Sequence, residues 1–196
     1  MSNQRPQRQF DLIAFDWDGT LFDSTQIIVN CIKDAVRDVG GAIPSDEQAA
    51  YVIGLALGPA LAHAAPDVPP EKYPELSKRY SHYYVTRRDD LVLFDGVLPM
   101  LSELRSQSYK IAVATGKSRI GLNDALQTAE LKDVFHASRT LMIGDTSHDL
   151  LMAQRAGCAS IGVSYGAHTG ESLEQFKPLT VVNSVKQLHQ WIKENG

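Results

Sequence analysis

RQFDLIAFDWDGTLFDST, residues 8–25, joins an apolar run to a group of carboxylates. The run Leu12–Phe15 has the composition of a short buried strand. It ends in Asp16 and Asp18, which are one residue apart and are followed at once by Gly19. Charge at the buried end of a strand is costly unless something neutralises it. The stretch therefore predicts a bound cation, a tight turn, or both at the end of this strand.

Length and charge limit the classes of protein that this chain can belong to. Its 196 residues suffice for one sizeable core, or for a core with a small accessory domain. The net charge of −4 argues against nucleic acid and membrane surfaces as partners. The apolar runs are too short for a membrane span, the first ten residues do not resemble a secretory signal, and the two cysteines are far apart. We expect a cytoplasmic protein with free thiols, as a monomer or homodimer.

Five short apolar runs have the pattern of buried strands in a parallel sheet. They are Leu12–Asp16, Ile111–Thr115, Leu141–Asp145, Ser160–Val163 and Val181–Asn183. Helical patterns follow several of these runs, at residues 121–130, 146–156 and 185–194. This alternation of strand and helix indicates an α/β fold with a parallel sheet.

Residues 24–94 interrupt this alternation. Their pattern predicts helices at residues 24–39, 45–52, 59–65 and 74–87, separated by glycine and proline, and no strand. We therefore predict two domains, a core formed by residues 9–23 and 95–196 and an all-helical insertion at residues 24–94. Residues 94–97 would form the hinge through which the chain returns.

Polar residues follow three of the predicted strands. Besides the first strand with its aspartates, the second ends in Thr115, Gly116 and Lys117, and the third ends in Asp145, with Asp149 one helical turn later. Ligands of open parallel sheets bind at the carboxyl ends of the strands. Carboxylates and carbonyls are hard oxygen ligands that suit Mg²⁺, whereas a hydroxyl, free amides and a lysine form a phosphate cradle.

The three motifs together resemble those of the haloacid dehalogenase (HAD) superfamily. They are Asp16-x-Asp18-Gly19-Thr20, apolar-Thr115-Gly116 and Gly144-Asp145-x-x-x-Asp149. The helical insertion resembles the C1-type cap of that superfamily, and the first two motifs are most similar to those of phosphoglycolate phosphatase-like members. The resemblance implies a Rossmann-like parallel sheet core that carries an inserted helical cap.

The resemblance also implies a role for each aspartate. Asp16 would be the nucleophile that forms an aspartyl-phosphate, and Asp18 the general acid and then the base that activates water. Mg²⁺ would be bound by Asp16, the main-chain carbonyl of Asp18 and Asp145, with Asp149 acting through a water. Thr115 and the Gly116 amide would bind the phosphoryl oxygens, beside Lys117.

The implied activity is hydrolysis of a small soluble phosphate ester, with phosphoglycolate as the first guess. Two alternatives stay open: a sugar-phosphate mutase of the same superfamily, and a catalytically impaired regulatory homologue. Residues 54–58, GLALG, lie where the family has its specificity loop and contain no charged group.

Each motif also has a simpler structural interpretation. Asp-Gly is a common turn pair, so Asp16 and Asp18 could belong to a plain turn at the end of the strand. Thr115 could likewise belong to a turn before a helix. Asp145 and Asp149 could merely cap the following helix.

One family feature, a lysine usually followed by proline before the Gly144-Asp145 motif, is missing. Residues 131–140, LKDVFHASRT, run directly into LMIGDTSHD. Residues 134–140 resemble the family's edge strand, yet consecutive parallel strands need a crossover of about a dozen residues or more. Three interpretations stay open: the protein has a further segment between Thr140 and Leu141; a deletion has damaged the site; or residues 134–140 are no strand, and Lys117 or Lys132 replaces the lysine.

Overall fold

A parallel five-stranded sheet forms the centre of the computed structural model, which describes residues 9–115 and 139–196. The strands of the described residues are β1 (Leu12–Phe15), β2 (Phe22–Asp23), β3 (Val92–Leu93), β4 (Lys110–Val113), β5 (Thr140–Gly144), β6 (Ala159–Val163) and β7 (Thr180–Val182). The sheet has the order β4-β1-β5-β6-β7, and every pair in it is parallel. The predicted α/β class is confirmed, and the five predicted strands agree with the sheet to within two residues at each end.

Helices flank the sheet and form most of the insertion. Those of the described residues are α1 (Thr25–Asp38), α2 (Asp46–Tyr51), α3 (Leu57–Ala64), α4 (Tyr73–Thr86), α5 (Val97–Ser106), α6 (Ser147–Ala156), α7 (Gly170–Glu174) and α8 (Val185–Asn195), with 3₁₀ turns at Pro70–Lys72 and Arg88–Asp90. The four helices predicted in the insertion and the two predicted at 146–156 and 185–194 are confirmed. Helices α5 and α7 had not been predicted, and the predicted helix at 121–130 lies outside the described residues. No helix of the described part of the chain has the length and apolar character needed to cross a membrane.

A short antiparallel ribbon joins the two ends of the insertion. β2 pairs with β3, with Phe22 opposite Leu93 and Asp23 opposite Val92. The prediction that no strand occurs between residues 24 and 94 was therefore wrong. Strands of two residues are too short to show an alternating pattern, so only the pairing itself reveals them.

Two of the three hydrophobic clusters among the described residues support this arrangement. The buried members of one cluster come from residues 10–21 and 97–192, including Ile13, Phe15 and Ile143 of the sheet. The buried members of the other all come from residues 28–76, because the apolar stripe of α1 packs against the remaining helices of the insertion. The insertion, called the cap below, thus has an apolar core of its own. The exact domain boundaries stay a prediction.

The junction between Thr140 and Leu141 lies inside one strand. Both residues belong to β5 and pair with Leu12 and Ile13 of β1. Thr140 is therefore not the end of an edge strand, and no crossover is required at this point. The connection between β4 and β5 runs through residues 114–139, which exceeds the dozen or so residues that a parallel crossover needs. Residues 134–138, with Lys117 and Lys132, lie outside the described residues.

Candidate active site

Asp16 lies at the end of the central strand and is almost fully buried. Its backbone N–H donates to the Ile143 carbonyl at 2.8 Å, which extends the pairing of β1 with β5 by one residue. The chain then turns sharply, because the N–H groups of Leu21 and Phe22 both donate to the Trp17 carbonyl, at 3.1 and 3.0 Å. Asp16 is consequently fixed at the carboxyl edge of the sheet with its carboxyl group inside the protein.

Gly19 makes this turn possible. It has a φ of +78°, which favours glycine, and a Cβ at this position would overlap the carboxylate of Asp145. The turn also brings the Thr20 hydroxyl to Asp145, where it donates to Oδ1 at 3.2 Å. Strands β1 and β5 are therefore linked through a polar contact at their carboxyl ends.

Asp18 has a different environment from Asp16. The Ser24 hydroxyl donates to its Oδ1 at 2.8 Å, and the pair is buried. Among the described residues, the side chain of Asp18 is not part of the carboxylate cluster that contains Asp16. This separation agrees with the predicted division of roles, in which Asp18 offers only its main-chain carbonyl to a metal.

Asp149 is both a helix cap and a member of the acidic cluster, so both interpretations of its motif hold. Helix α6 begins with a capping box, in which the Thr146 hydroxyl and the side chain of Asp149 satisfy backbone N–H groups at the helix start. The Thr146 N–H and hydroxyl donate to Oδ2 of Asp149 at 3.0 and 2.6 Å. Gly144 is needed here, because a Cβ on it would overlap the side chain of Asp149.

Three buried carboxylates meet at this edge of the sheet. One oxygen atom from each of Asp16, Asp145 and Asp149 lies within 4.8 Å of the others. Oδ2 of Asp16 is buried and has no hydrogen-bond partner. An orphaned carboxylate oxygen beside two further carboxylates is a donor set that fits a hard divalent cation.

The raised pKa values of the three carboxyl groups also favour a bound cation. Burial, followed by the charges of Asp149 and Asp145, raises the pKa of Asp16 well above its ordinary value. Burial raises the pKa of Asp145 to about 7, even though the Ala167 N–H and the Thr20 hydroxyl donate to it. Burial likewise raises the pKa of Asp149. All three carboxylates are thus costly to ionise together unless a cation compensates them.

The loop after β6 is a part of the site that the sequence analysis missed. The Ala167 N–H donates to Oδ2 of Asp145 at 2.6 Å, and the His168 N–H donates to the Asp145 carbonyl at 3.2 Å. A Cβ on Gly166 would overlap both the Asp145 carboxylate and the Gly19 carbonyl. A glycine shortly after the carboxyl end of a predicted strand was the only signal that could have indicated this contact.

Asp16, Asp18 and Thr115 line the same cavity, which has a volume of about 730 Å³ and is covered by the cap. The ends of the first two predicted strands therefore border one cavity as far as Thr115, while Gly116 and Lys117 lie outside the described residues. The cap contacts the core directly, since a Cβ on Gly54 would lie 3.3 Å from Oγ1 of Thr146. Residues 54–57 of the predicted specificity loop line the cavity as well.

Known protein families agree with this geometry. A model described as haloacid dehalogenase-like hydrolase matches residues 13–138, and a second model of HAD-like hydrolases matches residues 115–188. The chain belongs to the haloacid dehalogenase-like hydrolase family. The family resemblance drawn from the three motifs is thereby confirmed.

Individual members of the family are similar over nearly the whole chain. A probable phosphatase, IndB, of Dickeya dadantii is 31% identical and covers 90% of this chain and 91% of its own length. A phosphoglycolate phosphatase of Vibrio vulnificus is 28% identical, with 93% and 96% covered. The crystal structure of a hydrolase from Pseudomonas syringae, 23% identical, superimposes with a TM-score of 0.81 over 95% of this chain and 98% of that one. The Dickeya and Vibrio relatives confirm the predicted enzyme class, a phosphatase, and the Pseudomonas structure shows the same fold.

The relatives also contain residues that have no counterpart in this chain. The two alignments extend over 211 and 218 positions, whereas this chain has 196 residues. Each relative therefore contains stretches with no counterpart here.

Proposed function

We propose that this phosphatase is a Mg²⁺-dependent phosphomonoester hydrolase that acts through an aspartyl-phosphate on Asp16. The observation that supports this proposal most directly is the unpartnered, buried Oδ2 of Asp16, which belongs to a three-carboxylate cluster and borders a cavity. Mg²⁺ held by Asp16, the main-chain carbonyl of Asp18 and Asp145 would offset the repulsion between the carboxylate and a phosphate dianion.

Asp16 and Asp18 would divide the chemistry between them. A carboxylate oxygen of Asp16 forms a bond to phosphorus while the bond from phosphorus to the ester oxygen breaks, and Asp18 gives its proton to the departing alkoxide. Asp18 then takes a proton from water, whose oxygen attacks phosphorus and releases Asp16 and inorganic phosphate. The hydrogen bond from Ser24 orients Asp18 for both proton transfers.

The remaining site residues have supporting roles in this proposal. Thr115, the Gly116 amide and Lys117 would bind the phosphoryl oxygens, and Asp149 would act indirectly because Thr146 already donates twice to its Oδ2. The substrate would be a small soluble phosphate ester. Phosphoglycolate is the ester suggested by the name of similar proteins, phosphoglycolate phosphatase. We further propose a cytoplasmic monomer or homodimer that binds neither nucleic acid nor membranes, in keeping with the free thiols of Cys31 and Cys158.

The test is turnover of p-nitrophenyl phosphate with Mg²⁺ or with EDTA. We expect many turnovers with Mg²⁺ and a loss of at least about a thousandfold in Asp16→Asn, the scale on which nucleophile removal acts. The matched control is Asp95→Asn, which removes an exposed carboxylate outside the site and should leave the rate unchanged. Turnover that survives in Asp16→Asn, or that is absent with Asp16 intact, would contradict the proposal.

A second candidate, a catalytically impaired regulatory homologue, is favoured by one observation. Among the described residues that line the cavity, the one cation is Arg88, which is 68% exposed in its side chain and lies 3.6 Å from Asp89. The lysine expected by the family pattern is not among them. A regulator would accept one phosphoryl group from a small donor on Asp16 and keep it, so that intact-mass measurement would show a stable phosphoprotein without turnover.

A further inference from the structure

The wall that the cap contributes to the cavity is mostly apolar, with the hydroxyl-bearing rings of Tyr80 and Tyr84 among its members. Six of its side chains come from α1, α3, α4 and the loop after α2: Ile28, Ile32, Ile53, Leu55, Leu61 and Tyr80. Asp16, Asp18 and Thr115 of the core line the same cavity. A phosphate group at Asp16 would therefore leave the rest of its ester facing apolar side chains.

Charge is scarce on this wall. Arg88 and Asp89 line the cavity at the 3₁₀ turn before β3, but their side chains are 68% and 95% exposed and lie close to each other. A carboxylate on the leaving group would lose water here without gaining a buried cation among the described residues. Such a loss is unfavourable, whereas burial of a hydrocarbon group against the same wall is favourable.

Two apolar residues that line the cavity are also exposed. Leu57, at the start of α3, is 37% exposed, and Val85, at the end of α4, is 57% exposed. They line the same cavity as Ile53 and Leu61. A ligand that filled the cavity would cover both of them.

We propose that the leaving group of the substrate is an apolar aliphatic or aromatic alcohol rather than an alcohol that carries a carboxylate. The inference rests on the proposed phosphatase function and names the substrate class of that same site. The cavity volume of about 730 Å³ accommodates a group much larger than glycolate. Phosphoglycolate therefore ranks below apolar esters of primary alcohols.

The direct test compares kcat/KM for ethyl, butyl, hexyl and 2-phenylethyl phosphate with that for phosphoglycolate, all being esters of primary alcohols. We expect kcat/KM to rise about two- to fourfold for each added methylene and to be lowest for phosphoglycolate. A flat series, or a preference for phosphoglycolate, overturns the inference.

A pair of variants links the preference to the cap wall. Leu57→Lys places a cation in the cavity, and we expect it to lower kcat/KM for hexyl phosphate about tenfold and to raise it for phosphoglycolate. Ile43→Lys is the matched control, because Ile43 is an apolar residue of the cap that is 48% exposed and lies outside this cavity. The ratio of kcat/KM for hexyl phosphate to that for phosphoglycolate should be the same in this variant as in the parent protein. Equal effects of the two variants would refute the assignment of the wall.

Binding of inert phosphonates separates this inference from the proposed function. Titration calorimetry with Mg²⁺ should give tighter binding of hexylphosphonate than of phosphonoacetate, whether or not the protein hydrolyses esters. Absence of hydrolysis with this binding order contradicts the proposed function alone. Hydrolysis of esters with the reverse order contradicts the inference alone.

Discussion

Replacing Asp145 with asparagine should stabilise the metal-free protein at alkaline pH. Asp145 is fully buried, and its pKa is raised from 3.8 to about 7 by burial and by the charge of Asp149. A carboxyl group with a raised pKa in the folded state favours folding while it is protonated. Its ionisation costs the folded state stability as the pH rises from about 4 to about 7.

The magnitude follows from the size of the pKa shift. A difference of about three pKa units corresponds to about 4 kcal/mol of unfolding free energy, which is lost completely above pH 8. Asparagine avoids this loss and keeps both contacts, because its carbonyl can accept from the Ala167 N–H while its amide donates to the Thr20 hydroxyl. We expect Asp145→Asn to match the parent protein near pH 4.5 and to exceed it by about 2–4 kcal/mol at pH 8.5.

Urea unfolding followed by circular dichroism in EDTA, at several pH values, measures this difference. Asp95→Asn is the control, since the same change at an exposed carboxylate should give a difference near zero throughout. A variant that is less stable than the parent at pH 8.5, or a difference that does not grow with pH, would show that burial and the charge of Asp149 do not raise the pKa of Asp145 in the folded protein.

Three further predictions concern the same site. Mg²⁺ at a hundred times its dissociation constant should raise the unfolding free energy by about 2.7 kcal/mol. Thermal scans should show that Asp145→Asn loses this gain. An equal gain in both proteins would show that the metal binds at another site. Gly166→Ala should lower the free energy of unfolding in urea by about 1–3 kcal/mol, because the added Cβ overlaps Asp145. The control Gly58→Ala should not lower it, because a Cβ there meets nothing within 4 Å. A larger loss in Gly58→Ala than in Gly166→Ala would contradict the packing of this loop. Ser24→Ala should lower kcat about ten- to a hundredfold, because it loses the hydrogen bond to Asp18. Steady-state kinetics should give an unchanged kcat for the control Thr25→Val, whose buried hydroxyl has no hydrogen-bond partner. Equal kcat values in both variants would show that Ser24 has no role in the mechanism.

The sheet could be predicted from the sequence because its central strands β1, β5 and β6 are short and almost wholly buried, and because strands alternate with helices. Runs such as Leu12–Phe15 carry this signal locally, and each polar residue at a strand end is a neighbour in sequence of the strand that positions it. The cluster of Asp16 and Asp145 follows from that rule once β1 and β5 are adjacent. Periodicity also predicted α1, whose apolar stripe is long and unbroken.

Contacts between distant segments could not be predicted in this way. The β2–β3 ribbon depends on residues about seventy positions apart, and two residues per strand leave no pattern. The strand β5 begins one residue earlier than predicted, because Thr140 pairs with Leu12 and is buried in spite of its polar side chain. The role of Gly166 depends on the return of the β6 loop to Asp145, which no local motif indicates.

Glycine and carboxylate are paired at this site for one physical reason. Around the three carboxylates of the cluster the backbone packs so closely that two of them are approached by residues without a Cβ: Gly19 and Gly166 at Asp145, and Gly144 at Asp149. This close approach excludes water, and the lack of water raises the pKa values of the carboxylates. The same packing that makes the metal-free cluster unfavourable therefore makes it a strong ligand set for a divalent cation. Two of these three glycines belong to recognised motifs, and the third, Gly166, should be as intolerant of substitution as they are.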